Sequence, residues 1–521
     1  MIAPAAFALA LCIAAAPQTA SPVEPQPLKT GVKDLGVNVL LDSSHQFSFF
    51  HHWQVQEALR ETGFRVTGSQ ASLDRALTPG SPMRVRVQAD HAWGIERPFT
   101  TMPAPAYDVL FTYQHGAFQP YLPAERAVMK AFIEAGGGAV FDVSTPDAPA
   151  ADILRELGAA IGAAPADAVL RSKEKVPGLA AAEFPRSLKQ AELGPGWTVA
   201  AGIDDRHGAL AWRSLGRGTI ILLADPRLLR VKAEKGERVN GALLDWAVLK
   251  ASGGSRKKAD GRRLPWEPEG LGGAFYPDNE IEIGGVRVLY SDNQLPSILD
   301  LARTRFTEVM AILQKMLPTP PNPGGAYYIN LAAGEGGGWA ENAVTPKMAG
   351  TISVKPESIL SILAHELAHT MNGPEAVDGT PGCRLPDWWS EAHAGWFQRK
   401  TIKEMGFGER WPYFSKALAG QDPTLSLDLA NLPPDKVRLA WDKAWVIWSI
   451  LDARYGADWY PKWLSHIHKT FNDPKRLLTM DEYIRTVSET VGEDTAALFE
   501  RFGTTVGPAG RTNLPPIGPR K

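Results

Sequence analysis

One stretch constrains this chain more than any other. His365-Glu366-Leu367-Ala368-His369 is followed at some distance by Trp388-Trp389-Ser390-Glu391. Residues four apart lie on one face of an α-helix, so a helix brings the two imidazoles to a common point. Leu360, Leu363, Leu367 and Met371 fall on the opposite face and form a stripe that must be buried. Glu357 and Ser358 mark a helix start, and Asn372-Gly373-Pro374 a stop. The pattern predicts a helix over 357–372, one side in a core and the other on a cleft.

That cleft side has a definite chemistry. Two imidazoles four apart, joined by a donor from another segment, make a zinc ligand set. His365 and His369 supply the first two ligands and Glu391 the third. Three protein ligands leave one position open, as catalytic Zn2+ requires. Glu366 sits about 100° round the helix, beside the ion and not on it, where it can take a proton from water. These residues point to a hydrolase.

At 521 residues the chain has room for two to four domains. A net charge of −2 leaves no electrostatic footprint for nucleic acid or an anionic membrane. Residues 1–20 read as a signal peptide, with an uncharged apolar run over 5–16 and small residues up to Ala20-Ser21. No later stretch reaches 18 apolar residues, so a secreted or periplasmic protein without stable membrane insertion is expected. Cys12 leaves with the signal, and Cys383 alone makes no internal disulfide. Nothing in these patterns sets the oligomeric state.

Residues 21–33 are a Pro-rich flexible leader. Over 34–250, apolar strand runs at 37–41, 107–111, 139–143 and 219–223 alternate with helical patterns at 52–61, 123–135 and 239–249. This predicts an α/β domain, a parallel sheet with helices on both faces. Residues 251–264 are small, polar and basic, a linker. Residues 265–506 are expected to form an α+β domain with a mainly helical C-terminal portion, and 507–521 a disordered tail. A strand near 351–354 is expected to align substrate by edge pairing. His45, His51 and His52 follow the first strand, where such sheets place ligands, but are read as surface residues. The mature first half lacks a Cys nucleophile, Gly-x-Ser-x-Gly and Gly-x-Gly-x-x-Gly, so it is read as non-catalytic. Residues 264–521 are then expected to carry the chemistry alone. His393, two residues beyond Glu391, cannot face the same ion. The nine Trp between 388 and 463 are read as helix packing.

From about 335 to 460 the chain resembles the gluzincin metallopeptidases, especially the aminopeptidase N-like family. Gly338-Trp339-Ala340-Glu341-Asn342 stands where that family has Gly-x-Met-Glu-Asn. The His365–His369 segment with Gly373 after it has the family's form, and Trp389-Ser390-Glu391-Ala392-His393-Ala394 resembles its Glu-ligand block. Trp441-Asp442-Lys443-Ala444 resembles the helix that carries its transition-state tyrosine. The resemblance implies peptide-bond hydrolysis with Zn2+. It implies that Glu341 binds a free α-amine and that Gly338 and Asn342 line the substrate cleft. Trp441 then takes the oxyanion-stabilising position, unless Tyr455 or Tyr460 does. The chain departs from the family in Ala340 for Met, Trp441 for Tyr and a longer gap before Glu391, with 378–386 as a small loop insertion. The chain also resembles enhancin-like mucin-active metallopeptidases, which allow a longer gap; some join the zinc domain to an amidotransferase-like α/β domain. The substrate implied is a peptide or a glycoprotein, with endo- and exopeptidase both open. A rival of another class is a catalytically weak zinc fold that binds glycan or cell-wall material.

Overall fold

The computed structural model describes residues 31–86, 99–162, 171–172, 174–179, 188–233, 236–253, 275–317, 327–334, 336–341, 348–353, 355–371, 383, 385–407, 428–433, 436–471, 473 and 476–518. Most of the leader and most of the linker lie outside them.

The first half is a mixed sheet. The long strands of this ten-stranded sheet are β1 (Asn38–Asp42), β2 (Arg65–Ser69), β3 (Val109–Gln114), β4 (Gly138–Val143), β5 (Trp197–Gly202), β6 (His207–Leu215) and β7 (Gly218–Leu223), ordered β2-β1-β3-β4-β7-β6-β5. From β2 to β7 all neighbours are parallel. These strands are apolar on both faces. Val39, Leu41, Val109, Phe111, Val140, Ile221 and Leu223 enter one core, and Leu40, Leu110, Ala139, Phe141, Ile220 and Leu222 the other. Burial on both faces is why they read as unbroken apolar runs. Helices α1 (Gln56–Thr62) and α4 (Gly241–Ala251) cover the first face, and α2 (Pro123–Glu134) and α3 (Pro149–Glu156) the second.

The expectation of an all-parallel sheet is corrected at β6 and β5, which run antiparallel. Only Gly216 and Arg217 join β6 to β7, and so short a link makes a hairpin; a parallel pair needs a crossover of a dozen residues or more. Gly216 turns at φ 59°.

The second half places a five-stranded sheet beside a helical body. Strands β8 (Asn279–Ile283), β9 (Val286–Tyr290), β10 (Tyr327–Ala332), β11 (Gly338–Glu341) and β12 (Met348–Ile352) are ordered β8-β9-β10-β12-β11. Helices α5 (Pro296–Met316), α6 (Pro356–Thr370) and α7 (Asp387–Glu404) pack together, followed by α8 (Val437–Tyr455), α9 (Trp459–Thr470) and α10 (Met480–Val491). Leu360, Leu363, Leu367 and Met371 are at most 1% exposed, so the stripe of α6 is core as its periodicity required. Trp388, Trp389, Trp396, Trp445, Trp448, Trp459 and Trp463 are buried in the helical body, the packing use expected of them.

Two further expectations are corrected. Residues 507–518, read as a disordered tail, are held in place. Asp494 donates its N–H to the Pro515 carbonyl at 2.7 Å and accepts the N–H of Ile517 at 3.0 Å. Arg454 donates to the Gly518 carbonyl at 2.8 Å. Proline presets φ, so a Pro-rich segment loses little entropy when it docks in extended form. The imidazoles of His45, His51 and His52, read as surface groups, belong to residues 0%, 3% and 1% exposed. His45 meets Asn293 of the second half, His51 and His52 lie on the helical turn Phe50–Val55 against Tyr113 and Phe47 of the first half, and carboxylates meet two of the three. His45 Nδ1 lies 2.8 Å from Asp42 and Nε2 3.2 Å from Glu125. Burial opposes its charge, but these two carboxylates outweigh it and raise its pKa to about 10. Burial lowers His51 to about 4, although Asp142 stands 3.5 Å away.

The halves share a buried polar seam. Asn293 Nδ2 approaches His45 Nε2 at 3.0 Å, and Gln294 bonds Gln119. Asp278 accepts the N–H of Ser72 at 2.8 Å, and Phe275 pairs with Gln70 and Ser69 at the end of β2.

Candidate metal centre

Helices α6 and α7 bring the three donors together. At the start of α7, Trp388 and Trp389 are 3% and 4% exposed and pin the helix into the core. That leaves Ser390 and Glu391 facing α6. Deeper in α7, Gly395 lets α8 come close: a Cβ there would stand 2.6 Å from Trp445 Cζ2. Trp445 in turn donates its indole N–H to the Ala392 carbonyl at 2.6 Å.

His365 Nε2 and His369 Nε2 lie 3.2 Å apart. Glu391 Oε2 is 3.2 Å from the first and Oε1 3.4 Å from the second. Among the described residues, these three form the group of His, Cys, Asp or Glu side chains whose donor atoms fall within 4.8 Å of one another. Glu391 is 45% exposed in its side chain, so the group opens to solvent on that side.

The opposite ring nitrogens are engaged. His369 Nδ1 lies 3.1 Å from Ser390 Oγ. His365 bonds the Gln398 side chain, whose amide donates to Ser361 Oγ at 2.7 Å. With a cation at the common point, partners of this type would hold the tautomer that leaves Nε2 as a lone pair. Two lone pairs and a carboxylate facing one point repel unless a cation lies between them. The donor set therefore fits a divalent metal with two N ligands and one O ligand. Hydrogen bonds from His365 and His369 hold the Glu391 carboxyl far below the usual carboxylate range. For His365, burial opposes charge, but Glu391 and Glu366 raise its pKa on balance; for His369, burial prevails and lowers it.

Glu366 is 7% exposed, and burial raises its pKa to about 7. Gly338 on β11 lies directly against it: a Cβ on Gly338 would sit 2.7 Å from Glu366 Cγ and would also strike Ile362 and the Gly350 carbonyl. Gly338 and Glu366 are thus in contact.

The remaining candidates divide. Glu341 ends β11, its backbone paired with Met348, and its side chain lies outside the described residues, as does Asn342. Trp441 is half-buried against the core of the second half, and its indole N–H is buried without a hydrogen-bond partner among the described residues. Tyr455 and Tyr460 are committed elsewhere. Tyr455 donates to Glu493 at 2.7 Å, and the fully buried Tyr460 bonds His393 Nδ1 at 2.8 Å. The expectation of substrate pairing at 351–354 is also corrected. Strand β12 is paired on both sides, antiparallel to β11 and parallel to β10, and the edge on that side of the sheet, among the described residues, is β11. Strand order is a tertiary property, which residue alternation cannot reveal.

Ser390, Gln398 and Ser361 were missed from sequence. Gln398 lies seven residues beyond Glu391 on one helix, so the same face held the signal. His393 faces away from the ion site, as its position required. It bonds Tyr460 and the Ala368 carbonyl, tying α7 beneath α6. His466 pairs with Glu489 at 2.8 Å. Cys383 is buried, and burial raises its thiol pKa to about 11. No helix among the described residues is long and apolar enough to cross a membrane.

No family model and no curated protein matches this chain. Solved structures give weak likenesses. A mutant of a functionally unknown conserved protein from Bacillus anthracis str. Ames is 14% identical over 46% of this chain and 52% of that one, with a TM-score of 0.33. The M1 zinc metallopeptidase from Deinococcus radiodurans is 16% identical over 46% and 53%, with a TM-score of 0.31. Native leukotriene A4 hydrolase from Saccharomyces cerevisiae is 17% identical over 47% and 40%, with a TM-score of 0.31. The chain spans about half the length of these structures or less, and at these scores the reading rests on its own residues.

Proposed function

We propose that this chain is a zinc-dependent metallopeptidase that hydrolyses peptide bonds in a peptide or glycoprotein. The convergence of His365, His369 and Glu391 beside a buried, proton-hungry Glu366 carries the reading. The two imidazoles and the carboxylate would hold one Zn2+, which when bound polarises a scissile carbonyl and acidifies water. Glu366 accepts a proton from the attacking water. It then returns that proton to the amine as the C–N bond breaks, the double role for which a pKa near the working pH is suited. The free edge of β11, against Glu366 at Gly338, would pair with an extended peptide main chain and hold it in register. Glu341, near the end of that strand, carries the aminopeptidase version of this reading, and an enhancin-like endopeptidase is the alternative. Export to the periplasm or beyond rests on the apolar leader.

One observation favours the rival reading, a zinc fold that binds glycan or cell-wall material without cleaving it. The Trp441 N–H is buried, and the hydroxyls of the two candidate tyrosines, Tyr455 and Tyr460, are occupied elsewhere. Turnover of a mixed peptide and glycoprotein pool separates the two. Products that vanish with Glu366→Gln establish a peptidase; binding without products in a zinc-loaded protein establishes the rival. Cleavage of a free-N-terminus peptide but not its acetylated twin, with the difference lost in Glu341→Gln, would establish the exopeptidase.

A further inference from the structure

The first half reaches the same edge strand. After β1, the Phe47 N–H donates to the Ala333 carbonyl at 2.6 Å, and Phe47 bridges Gly334 in the parallel sense. The Phe47 ring stacks on Trp339 of β11, with centroids 5.3 Å apart and planes at 17°. Phe49 meets Phe47 edge-on at 5.3 Å and lies over Gly337. A Cβ on Gly337 would stand 2.9 Å from Phe49 Cε2, and its φ of 123° favours glycine in any case. The next residue, Gly338, is the one that touches Glu366. An aromatic ring from the first half therefore lies one residue along the strand from the contact with the proposed base.

Trp53 extends this wall. Its ring lies 5.0 Å from Phe49, tilted by 33°, and it is 49% exposed. Half an indole in water is a large apolar area left uncovered. The helix that presents it is π-helical over Phe50–Val55. Such widened turns are rare and recur at functional sites.

We propose that Phe49 and Trp53 form a subsite for an apolar or aromatic side chain of a peptide lying along β11, so that the first half takes part in substrate choice. The inference rests on the peptidase reading. A strand edge unpaired among the described residues recognises a peptide main chain, and Phe49 against Gly337, with Trp53 beside it, meets a side chain the peptide projects.

The test uses the full zinc-loaded chain and the hexapeptide it turns over fastest in a mixed pool, together with versions in which each residue in turn is changed to Ser. Cleavage is followed by kcat/KM in the Glu366 background. Binding of the same fluorescein-labelled peptides is followed in Glu366→Gln, which reports the cleft without turnover. Wild type is expected to prefer an apolar residue at one position by about fivefold in both measurements. Trp53→Ala should reduce that ratio below about twofold, and Trp53→Phe should keep it. An unchanged ratio in Trp53→Ala, with Glu366-dependent cleavage intact, overturns the subsite and leaves the peptidase. A set of peptides neither cleaved nor bound overturns both.

Discussion

Glu366 and Gly338 must be considered as a pair, because one leaves no room for change in the other. Glu366→Gln keeps the shape and the metal ligands but cannot accept a proton. Turnover should fall by about three orders of magnitude with zinc content unchanged by elemental analysis. Gly338→Ala puts a methyl into Glu366 and into the Gly350 carbonyl at once. It should cost roughly 1–3 kcal/mol in denaturant unfolding and also lower kcat, since the base must shift to make room. His45, which is not one of the candidate ligands, offers a pH test. Its folded pKa of about 10 lies above the unfolded value of roughly 6.5, so its contribution to stability is fully present below pH ~6.5 and is lost as pH rises through about 10. Urea midpoints should fall between pH 6.5 and 9.5, by the equivalent of a few kcal/mol at most. His45→Gln should be less stable at the lower pH and lack that slope. His51, lowered to about 4, titrates outside this window.

At the scale of elements, the site is one helix pair and one strand. Helix α6 was legible because a 3.6-residue period admits one placement of four buried aliphatics and two imidazoles. The partner face of α7 was legible only at Glu391. Ser390 and Gln398 are ordinary polar residues until α6 lies against them. Gln398→Ala removes the hydrogen bond that orients His365 and leaves Ser361 unpaired. It should weaken zinc binding about tenfold in chelator competition, with the fold retained. The strand was misplaced for a different reason. Residues 351–354 read as a short strand and Gly338–Glu341 only as a motif segment, and the order in the sheet makes the first interior and the second an edge.

At the scale of the whole molecule, the two halves are less separable than the basic linker implies. The seam places Asn293, Gln294, Ser291 and Asp278 of the second half under the first, and Phe47 of the first under Trp339 of the second. Cutting at 264 would expose Trp339 and leave these polar groups without the partners that satisfy them. The full chain should melt in one transition by calorimetry. The fragment 264–521 should be partly unfolded, with weakened zinc retention, in place of the self-sufficient domain expected from the missing catalytic signatures in the first half. A fragment with native circular dichroism and full turnover would show that the seam contributes little.

What the sequence determined alone are the properties set by local periodicity and ligand chemistry. These are the helix that carries His365, Glu366 and His369, the parallel heart of the first sheet, and the choice of Glu391 as the residue that joins the two imidazoles. Each depends on residues within a few turns, or on a chemical identity that no neighbour alters. The tertiary structure alone decided the antiparallel flank, the edge position of β11, the burial of His45 and His51, the docked C-terminal segment, the stacking of Phe47 on Trp339 and the approach of Phe49 to Gly337. All of these are contacts between segments distant in sequence, and an amino-acid pattern carries no record of which remote surface will cover it.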